Sequence, residues 1–324
     1  METIFVVAVL AGFALLIWGA HLFVTGAAAT AHDLGVSHLL IGVTIVGLGT
    51  SAPELLVSAN AAFRDAPGIA IGNALGSNIA NVGLILGMTA LIVPLTVQSQ
   101  TLRREMPVLL AITLLTLLPF LDGYFSRVEG LALLGGLVLM LVWLVRAETT
   151  NKPDLDPDTF EDEIPSDMSL PKAIGLTVVG LLILVGSSHI LVWGARNIAS
   201  ALGVSELVIG LTVIAIGTSL PELAASLTAA MKNQHDIAIG NVIGSNMYNL
   251  LAVMGTAGAL SPSHPHEDVL QRDFPVMIGM TVVLFAMAYS LNDEKGGRIA
   301  RFEGGALLLA FFAYQGYVIM SNFG

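Results

Sequence analysis

Two glutamates mark where chemistry is possible in this chain. Glu54 ends the segment Gly42-Val-Thr-Ile-Val-Gly-Leu-Gly-Thr-Ser-Ala-Pro-Glu54, and Glu222 ends Gly210-Leu-Thr-Val-Ile-Ala-Ile-Gly-Thr-Ser-Leu-Pro-Glu222. Each lies mid-way along an apolar run with no cation nearby in sequence. A carboxylate at the centre of a bilayer costs about 2.5–3.5 kcal/mol even on a lenient insertion scale, so two at matching positions imply one shared polar centre. Thr50, Glu54 and Ser58 recur at i, i+4 and i+8 and share a helical face, as do Thr218, Glu222 and Ser226. A partner segment carries Asn73, Ser77 and Asn81 at the same spacing, repeated as Asn241, Ser245 and Asn249. Every polar side chain here offers an oxygen, and Cys and Lys are missing from these segments. An all-oxygen set of carboxylate, hydroxyl and amide suits a hard cation such as Ca²⁺ or Na⁺.

The backbone points the same way. Pro53 and Pro221 have no N–H, so the carbonyls of Gly49 and Gly217 lose their helical partners and the helix is expected to break there. Unwound backbone at membrane depth is tolerated where it lines a cavity, and its carbonyls can coordinate a cation. Gly72 and Gly76, with Gly240 and Gly244, would let the partner helix approach its neighbour closely.

The elements that must position these residues follow from composition. Of 324 residues, 55% are apolar and 11% charged, with mean hydropathy +0.82. A water-soluble enzyme of that length cannot hide so much apolar surface. A disordered or nucleic-acid-binding chain is excluded too, because the net charge is −11 and the runs are apolar. This is an all-α integral membrane protein. With no Cys, disulfides and thiolate ligands drop out. The start, Met1-Glu2, lacks the basic region of a cleaved signal peptide, and its apolar stretch runs to about Ala31, so the segment is expected to belong to the fold.

Apolar runs near 3–30, 37–62, 69–94, 106–121, 128–146, 172–198, 205–231, 237–260, 274–291 and 302–320 give ten expected spans. The two halves align on themselves at an offset of 168. Motifs 42–58 and 71–81 match 210–226 and 239–249, His21 matches His189, and Arg104-Glu105-Met106-Pro107 matches Arg272-Asp273-Phe274-Pro275. Five spans per copy is an odd number, so the second copy must cross in the opposite sense, giving ten transmembrane helices as two inverted five-helix repeats. The repeats cover 1–147 and 171–324. Between them, 148–170 holds eight acids against Lys152, plus Pro153, Pro157 and Pro165, and reads as a solvated linker. Alternate loops carry nine Lys and Arg on the linker side and four (Arg64, Arg127, Arg196, Arg272) on the side of the termini. The positive-inside rule then places the linker in the cytoplasm and both termini outside, in the cell (inner or plasma) membrane.

Gly49-Thr-Ser-Ala-Pro-Glu54 with Gly72-Asn-Ala-Leu-Gly-Ser-Asn78, and their second copies, resemble the paired α-repeats of the Ca²⁺/cation antiporter superfamily, most of all the prokaryotic Na⁺/Ca²⁺ exchangers. The resemblance covers nearly the whole chain. It implies a secondary active antiporter exchanging Na⁺ for Ca²⁺ by alternating access, with ions bound mid-membrane and the first helix of each half acting as a sliding gate. By motif position it implies Glu54 and Glu222 as central ligands, and Thr50, Ser51, Ser77, Thr218, Ser219 and Ser245 as hydroxyl ligands. It further implies Asn81 as an amide ligand and the carbonyls of Gly47 and Ala215 as main-chain ligands. Where such exchangers often carry an Asp in the second repeat, this chain has Asn249, leaving two carboxylates. Fewer charged ligands mean weaker Ca²⁺ binding or a changed ion ratio.

Other readings stay open at this level. A Ca²⁺ or other cation/proton antiporter is the nearest, with H⁺ or K⁺ as a further substrate. A cation channel is more remote and does not by itself explain the inverted repeat. A hydrolase fails because the Gly-Ser-Asn motif has no adjacent general base, so no enzyme is expected. No cofactor, nucleic acid or obligatory protein partner is implied; the lipid bilayer is the expected surrounding. His21 and His189 read as capped or interfacial, Arg104 and Arg272 as paired or snorkelling, and Trp18, Trp143 and Trp193 as anchors or packing residues. His264, His266, Glu267 and Asp268 read as solvated loop.

Overall fold

Each of the ten apolar runs carries helix. The computed structural model describes residues 2–33, 47–97, 99–150, 168–231, 233, 235–289 and 297–323. Among the described residues seven helices are long and apolar enough to cross a membrane, eight if one bent pair counts as a single span. The first half holds α1 (Glu2–Asp33), α2 (Gly47–Thr50), α3 (Ala52–Phe63), α4 (Pro67–Ala80), α5 (Gly87–Ile92), α6 (Ser99–Leu117) and α7 (Arg127–Thr150). The second holds α8 (Leu170–Leu202), α9 (Glu206–Ile209), α10 (Ala215–Thr218), α11 (Leu220–Met231), α12 (His235–Tyr248), α13 (Met254–Leu260), α14 (Phe274–Ala288) and α15 (Arg301–Phe323). The opening of the second expected span and most of the acidic linker lie outside the described residues.

Two departures from the expected spans have local causes. The helix of the fourth expected span, α6, starts at Ser99, seven residues before the apolar run, because nothing between Ser99 and Met106 breaks a helix. It tightens into a 3₁₀ turn at Leu118–Phe120, where Pro119 ends the regular ladder. The chain is also not purely helical. A ribbon pairs β1 (Leu95–Val97) with β2 (Gly297–Ile299), Leu95 opposite Ile299 and Val97 opposite Gly297. Alternating apolar and polar residues in these short connectors fit a two-stranded pairing whose buried positions are Leu95, Val97, Gly297 and Ile299.

The ends of α15 mark two faces of the molecule. Arg301 begins it beside the ribbon, and Asn322 near its other end accepts a hydrogen bond from Ser205 N at 3.1 Å. At that second face Arg272 donates to Ser321, Arg196 pairs with Glu206 at 3.1 Å, and Arg196 also reaches the Asp65 carbonyl. Phe5 packs edge-on against Trp193 there, so the described stretches nearest both termini lie at one end, together with Arg64, Arg196 and Arg272.

α1 and α8, the equivalent first helices of the two halves, pack along their length in antiparallel sense. Gly12 lies against Leu191, Gly19 against Ile183 and Leu184, and Gly26 against Ala173 and Thr177. The contact is backbone to backbone. A Cβ at Gly26 would stand 2.5 Å from Thr177 N, and one at Gly180 only 2.4 Å from Phe23 N, so glycine is required at both. The outer faces of this pair carry exposed Leu10, Trp18, Val178 and Leu182, as a lipid-facing surface should. By contrast α4 is buried at every position from Ile69 to Ala80.

Candidate cation site

The site forms where two broken helices meet. Ser51 separates α2 from α3 with φ −87° and ψ 5°, and Ser219 separates α10 from α11 with φ −85° and ψ 5°. The break therefore falls two residues beyond the glycines that the prolines were expected to release. In the second half the flanking segments are bent by 42°. Each break presents a hydroxyl, and three residues on, within the first turn of the next helix, a carboxylate. Both carboxylates are 1% exposed.

The two breaks face one another and exchange bonds. Ser51 Oγ donates to Glu222 Oε1 at 3.3 Å, and Ser219 Oγ donates to Glu54 Oε1 at 3.3 Å. Each half thus supplies the hydroxyl that holds the other half's carboxylate. Around this centre the duplication recurs bond for bond. Asn73 Nδ2 donates to the Glu54 carbonyl at 3.1 Å and to Ser58 Oγ at 2.9 Å; Asn241 Nδ2 donates to the Glu222 carbonyl at 3.3 Å and to Ser226 Oγ at 2.9 Å. Ser58 and Ser226 in turn donate to the carbonyls of Ala70 and Ala238. These four side chains, read in sequence as part of the polar stripes, use their hydrogen bonds to lock α3 onto α4 and α11 onto α12.

The remaining stripe residues behave differently. Ser77 Oγ, Ser245 Oγ, Asn81 Oδ1, both amide atoms of Asn249, and the second oxygens of Glu54 and Glu222 are buried with no hydrogen-bond partner among the described residues. A helical hydroxyl ordinarily bonds back to the carbonyl four residues earlier, as Thr113, Thr212 and Thr281 do here at 2.7, 2.7 and 2.9 Å. The two serines do not. An unsatisfied buried polar group costs about 1–3 kcal/mol, so the unpartnered oxygens, at matching positions of the two motifs, call for a ligand that takes up lone pairs. A hard cation does so.

Asn81 and Asn249 each open a π-turn, Asn81–Leu86 and Asn249–Val253, at the same place in both copies. Such single widened turns recur at functional sites. A third, Gly210–Ile214, packs on α4, where a Cβ at Gly76 would stand 2.7 Å from Ala215 Cβ and 2.8 Å from the Leu211 carbonyl. The close approach expected of Gly72 and Gly76 is thus found, but not that expected of Gly240 and Gly244, where a Cβ would meet nothing within 4 Å among the described residues. Gln315 Nε2 donates to that Leu211 carbonyl at 3.2 Å.

Thr218 Oγ1 donates to Asn73 Oδ1 at 3.2 Å, and Thr50 is half-buried at the end of α2. The Ala215 carbonyl accepts from Ser219 N at 3.1 Å and lies 3.3 Å from Thr218 Oγ1, whose single hydrogen goes either to it or to Asn73 Oδ1, so with the bond to Asn73 made one carbonyl lone pair is free. Gly47 begins α2 at the edge of the described residues. Sequence reasoning missed Asn246, whose Oδ1 accepts from Asn81 Nδ2 at 2.9 Å, and its only signal was the Gly-Ser-Asn repeat.

Outside this centre, Asp273 is fully buried against Arg272 at 2.6 Å and Tyr314 OH at 2.8 Å, whereas Arg104 lies over the Trp143 ring. His189 is exposed, with Nδ1 2.8 Å from the Arg64 guanidinium. His266 pairs with Asp268 at 3.4 Å on an exposed loop. No three His, Asp or Glu side chains gather as a metal cluster among the described residues.

A family model described as sodium/calcium exchanger protein matches residues 4–146 and 172–320. The chain belongs to the sodium/calcium exchanger family. This exchanger is 46% identical over 99% of both chains to a protein of Alkalimonas amylolytica named as a candidate antiporter, CaxA. It is 31% identical to the sodium/calcium exchanger MaX1 of Methanosarcina acetivorans, over 97% of this chain and 98% of that one. Its fold matches a structure of the sodium-calcium exchanger NCX_Mj soaked with Na⁺ and Sr²⁺, with TM-score 0.65 and 33% identity, covering 97% and 98% of the two chains. The exchanger is accordingly a multi-pass membrane transporter and not an enzyme.

Proposed function

We propose that this protein exchanges Na⁺ for Ca²⁺ by alternating access around the oxygen-lined centre between its halves. The observation that carries the reading is the reciprocal pairing of Ser51 with Glu222 and Ser219 with Glu54, ringed by buried oxygens that lack partners. Two carboxylates balance one divalent cation or two monovalent ones, so Ca²⁺ and Na⁺ compete for the same charges. Glu54 and Glu222 are the shared ligands. Thr50, Ser51, Ser77, Thr218, Ser219 and Ser245 supply hydroxyls, Asn81 and Asn249 amide oxygens, and Gly47 the first main-chain oxygen. Ala215 supplies the carbonyl lone pair that Ser219 N leaves free when Thr218 donates to Asn73.

The antiparallel packing of α1 on α8 supports two inverted five-helix repeats, 1–147 and 171–324, because equivalent helices run in opposite directions. The family match that stops at 146 and resumes at 172 supports the acidic stretch 148–170 as the linker between them. A seam lined by glycines, with backbones in contact at Gly26 and Gly180, is suited to sliding, which favours the α1–α8 pair as the moving gate. The clustering of Arg64, Arg196 and Arg272 at the end nearest the termini, with the nine cations that the loop count in sequence assigns to the other side, supports termini outside and a cytoplasmic linker in the cell membrane.

The test is gradient-driven uptake of radioactive Ca²⁺ into proteoliposomes holding the purified protein. An outward Na⁺ gradient is expected to drive uptake, with no requirement for K⁺ or a pH gradient. Uptake that ignores Na⁺ but follows a pH gradient would replace this reading with cation/proton antiport.

A further inference from the structure

We infer that Asn246 is a positioning residue that turns the Asn81 amide so its oxygen faces the cation, and that the other half lacks an equivalent restraint. The inference rests on the cation site proposed above. Asn81 and Asn246 are each 1% exposed, and Asn81 Nδ2 donates to Asn246 Oδ1 at 2.9 Å. A primary amide has one acceptor end and one donor end. With the donor end tied to Asn246, Asn81 Oδ1 is left buried and without a partner on the other side. Turned by half a rotation, the same side chain would present its NH₂, whose hydrogens repel a cation. Asn246 therefore decides the sign of the dipole that Asn81 presents.

The internal symmetry supplies a control. Asn78 corresponds to Asn246 and Asn249 to Asn81. Yet Asn249 Oδ1, Asn249 Nδ2 and Asn78 Oδ1 have no partner among the described residues, and Asn78 Nδ2 donates instead to Met277 Sδ at 3.5 Å. Sulfur is a weak acceptor, and the bond leads away from Asn249. The amide at 81 is preset before a cation arrives; the amide at 249 must turn when one does. Asn246 thus sets affinity from a position that touches Asn81 and not the cation.

The test compares the purified protein in detergent with Asn246→Ala, Asn246→Asp and Asn78→Ala. Each is titrated with CaCl₂, and separately with NaCl, in choline buffer, and melting temperature is followed. Asn246→Ala is expected to raise the half-saturating Ca²⁺ concentration about tenfold, the size of one buried hydrogen bond, beside any drop in the cation-free melting temperature from leaving the Asn81 NH₂ unpartnered. Asn246→Asp, as a carboxylate, accepts from the Asn81 NH₂ and is expected to restore tight binding of Na⁺ as well as Ca²⁺. Asn78→Ala is expected to shift half-saturation less than about twofold, since that amide makes only the sulfur contact. The inference is overturned if Asn246→Ala binds as the parent does, if Asn246→Asp is as weak as Asn246→Ala, or if Asn78→Ala is equally damaging. A parent protein stabilised by Ca²⁺ and Na⁺ with unchanged Asn246→Ala defeats the positioning role alone. A parent stabilised by neither ion defeats the cation site and this inference together.

Discussion

The Ser51 hydroxyl donates its hydrogen bond to Glu222, in the opposite half of the chain, 3.3 Å away. Ser219 returns the bond to Glu54 at the same distance. Neither carboxylate is held by the serine of its own break, so the proposed cation site needs both halves assembled. Ser51→Ala and Ser219→Ala should therefore do equal harm. Each is expected to raise the half-saturating Ca²⁺ concentration for uptake about tenfold, the value of one hydrogen bond to a charged group. Saturation curves in proteoliposomes check this, and a large effect from one with none from the other would contradict the crossed pairing.

Asn249, a proposed ligand, has both amide atoms unpartnered among the described residues, and the proposed site holds only two carboxylates. Adding a charge there should favour the divalent ion, since Ca²⁺ affinity rises with the number of charged ligands. Asn249→Asp is expected to lower the Ca²⁺ concentration for half-maximal uptake by roughly tenfold, with slower turnover as release becomes harder. Initial rates over a Ca²⁺ series read both values. Unchanged or weaker Ca²⁺ affinity would remove Asn249 from the ligand set.

How much of this was legible in the sequence depended on what makes each residue costly. Glu54 and Glu222 were legible because a carboxylate in an apolar run needs a reason, and the offset of 168 showed the reason twice. Helical spacing grouped Thr50, Glu54 and Ser58 on one face, but spacing names a face and not a partner. It could not separate Ser58 and Asn73, which lock helices together, from Ser77 and Asn81, which stay free. The crossed Ser–Glu bonds and the Asn81–Asn246 pair depend on how the halves dock at Gly72, Gly76 and Gly210, which no local pattern reports. The π-turns at Asn81 and Asn249 were silent because a widened turn leaves no residue signature. The β1–β2 ribbon was missed because three residues between long helices are too few to read as strand.

That docking is itself testable. A side chain at Gly76 would meet Ala215 Cβ and the Leu211 carbonyl, neither of which can move aside without shifting the π-turn behind it. Gly76→Leu is expected to lower stability by about 1–3 kcal/mol and to abolish uptake. Thermal unfolding and size-exclusion profiles report the first effect, flux the second. Parent-like stability and flux would mean that α4 does not pack this closely.

The chain has no cysteine, so engineered pairs are read without background. Gly12 lies against Leu191, with a Cβ at Gly12 reaching within 3.0 Å of Leu191 Cβ. The double variant Gly12→Cys, Leu191→Cys is expected to cross-link under mild oxidation, because β-carbons so close allow a disulfide after a small shift. Gly12→Cys with Thr177→Cys should not, since Thr177 faces Gly26 at the other end of the seam. Cross-linking only in the second pair would overturn the antiparallel packing and the inversion it supports.

The central claim is that Glu54 and Glu222 together hold the exchanged cation. The measurement that bears on it most directly is Na⁺-gradient-driven Ca²⁺ uptake by Glu54→Gln and Glu222→Gln beside the parent protein, each shown to be monodisperse and equally incorporated. Both variants are expected to lose uptake by more than about a hundredfold, because each leaves one charge to bind a divalent ion in a buried site. Robust Na⁺-driven uptake in either variant would contradict a centre shared by the two carboxylates.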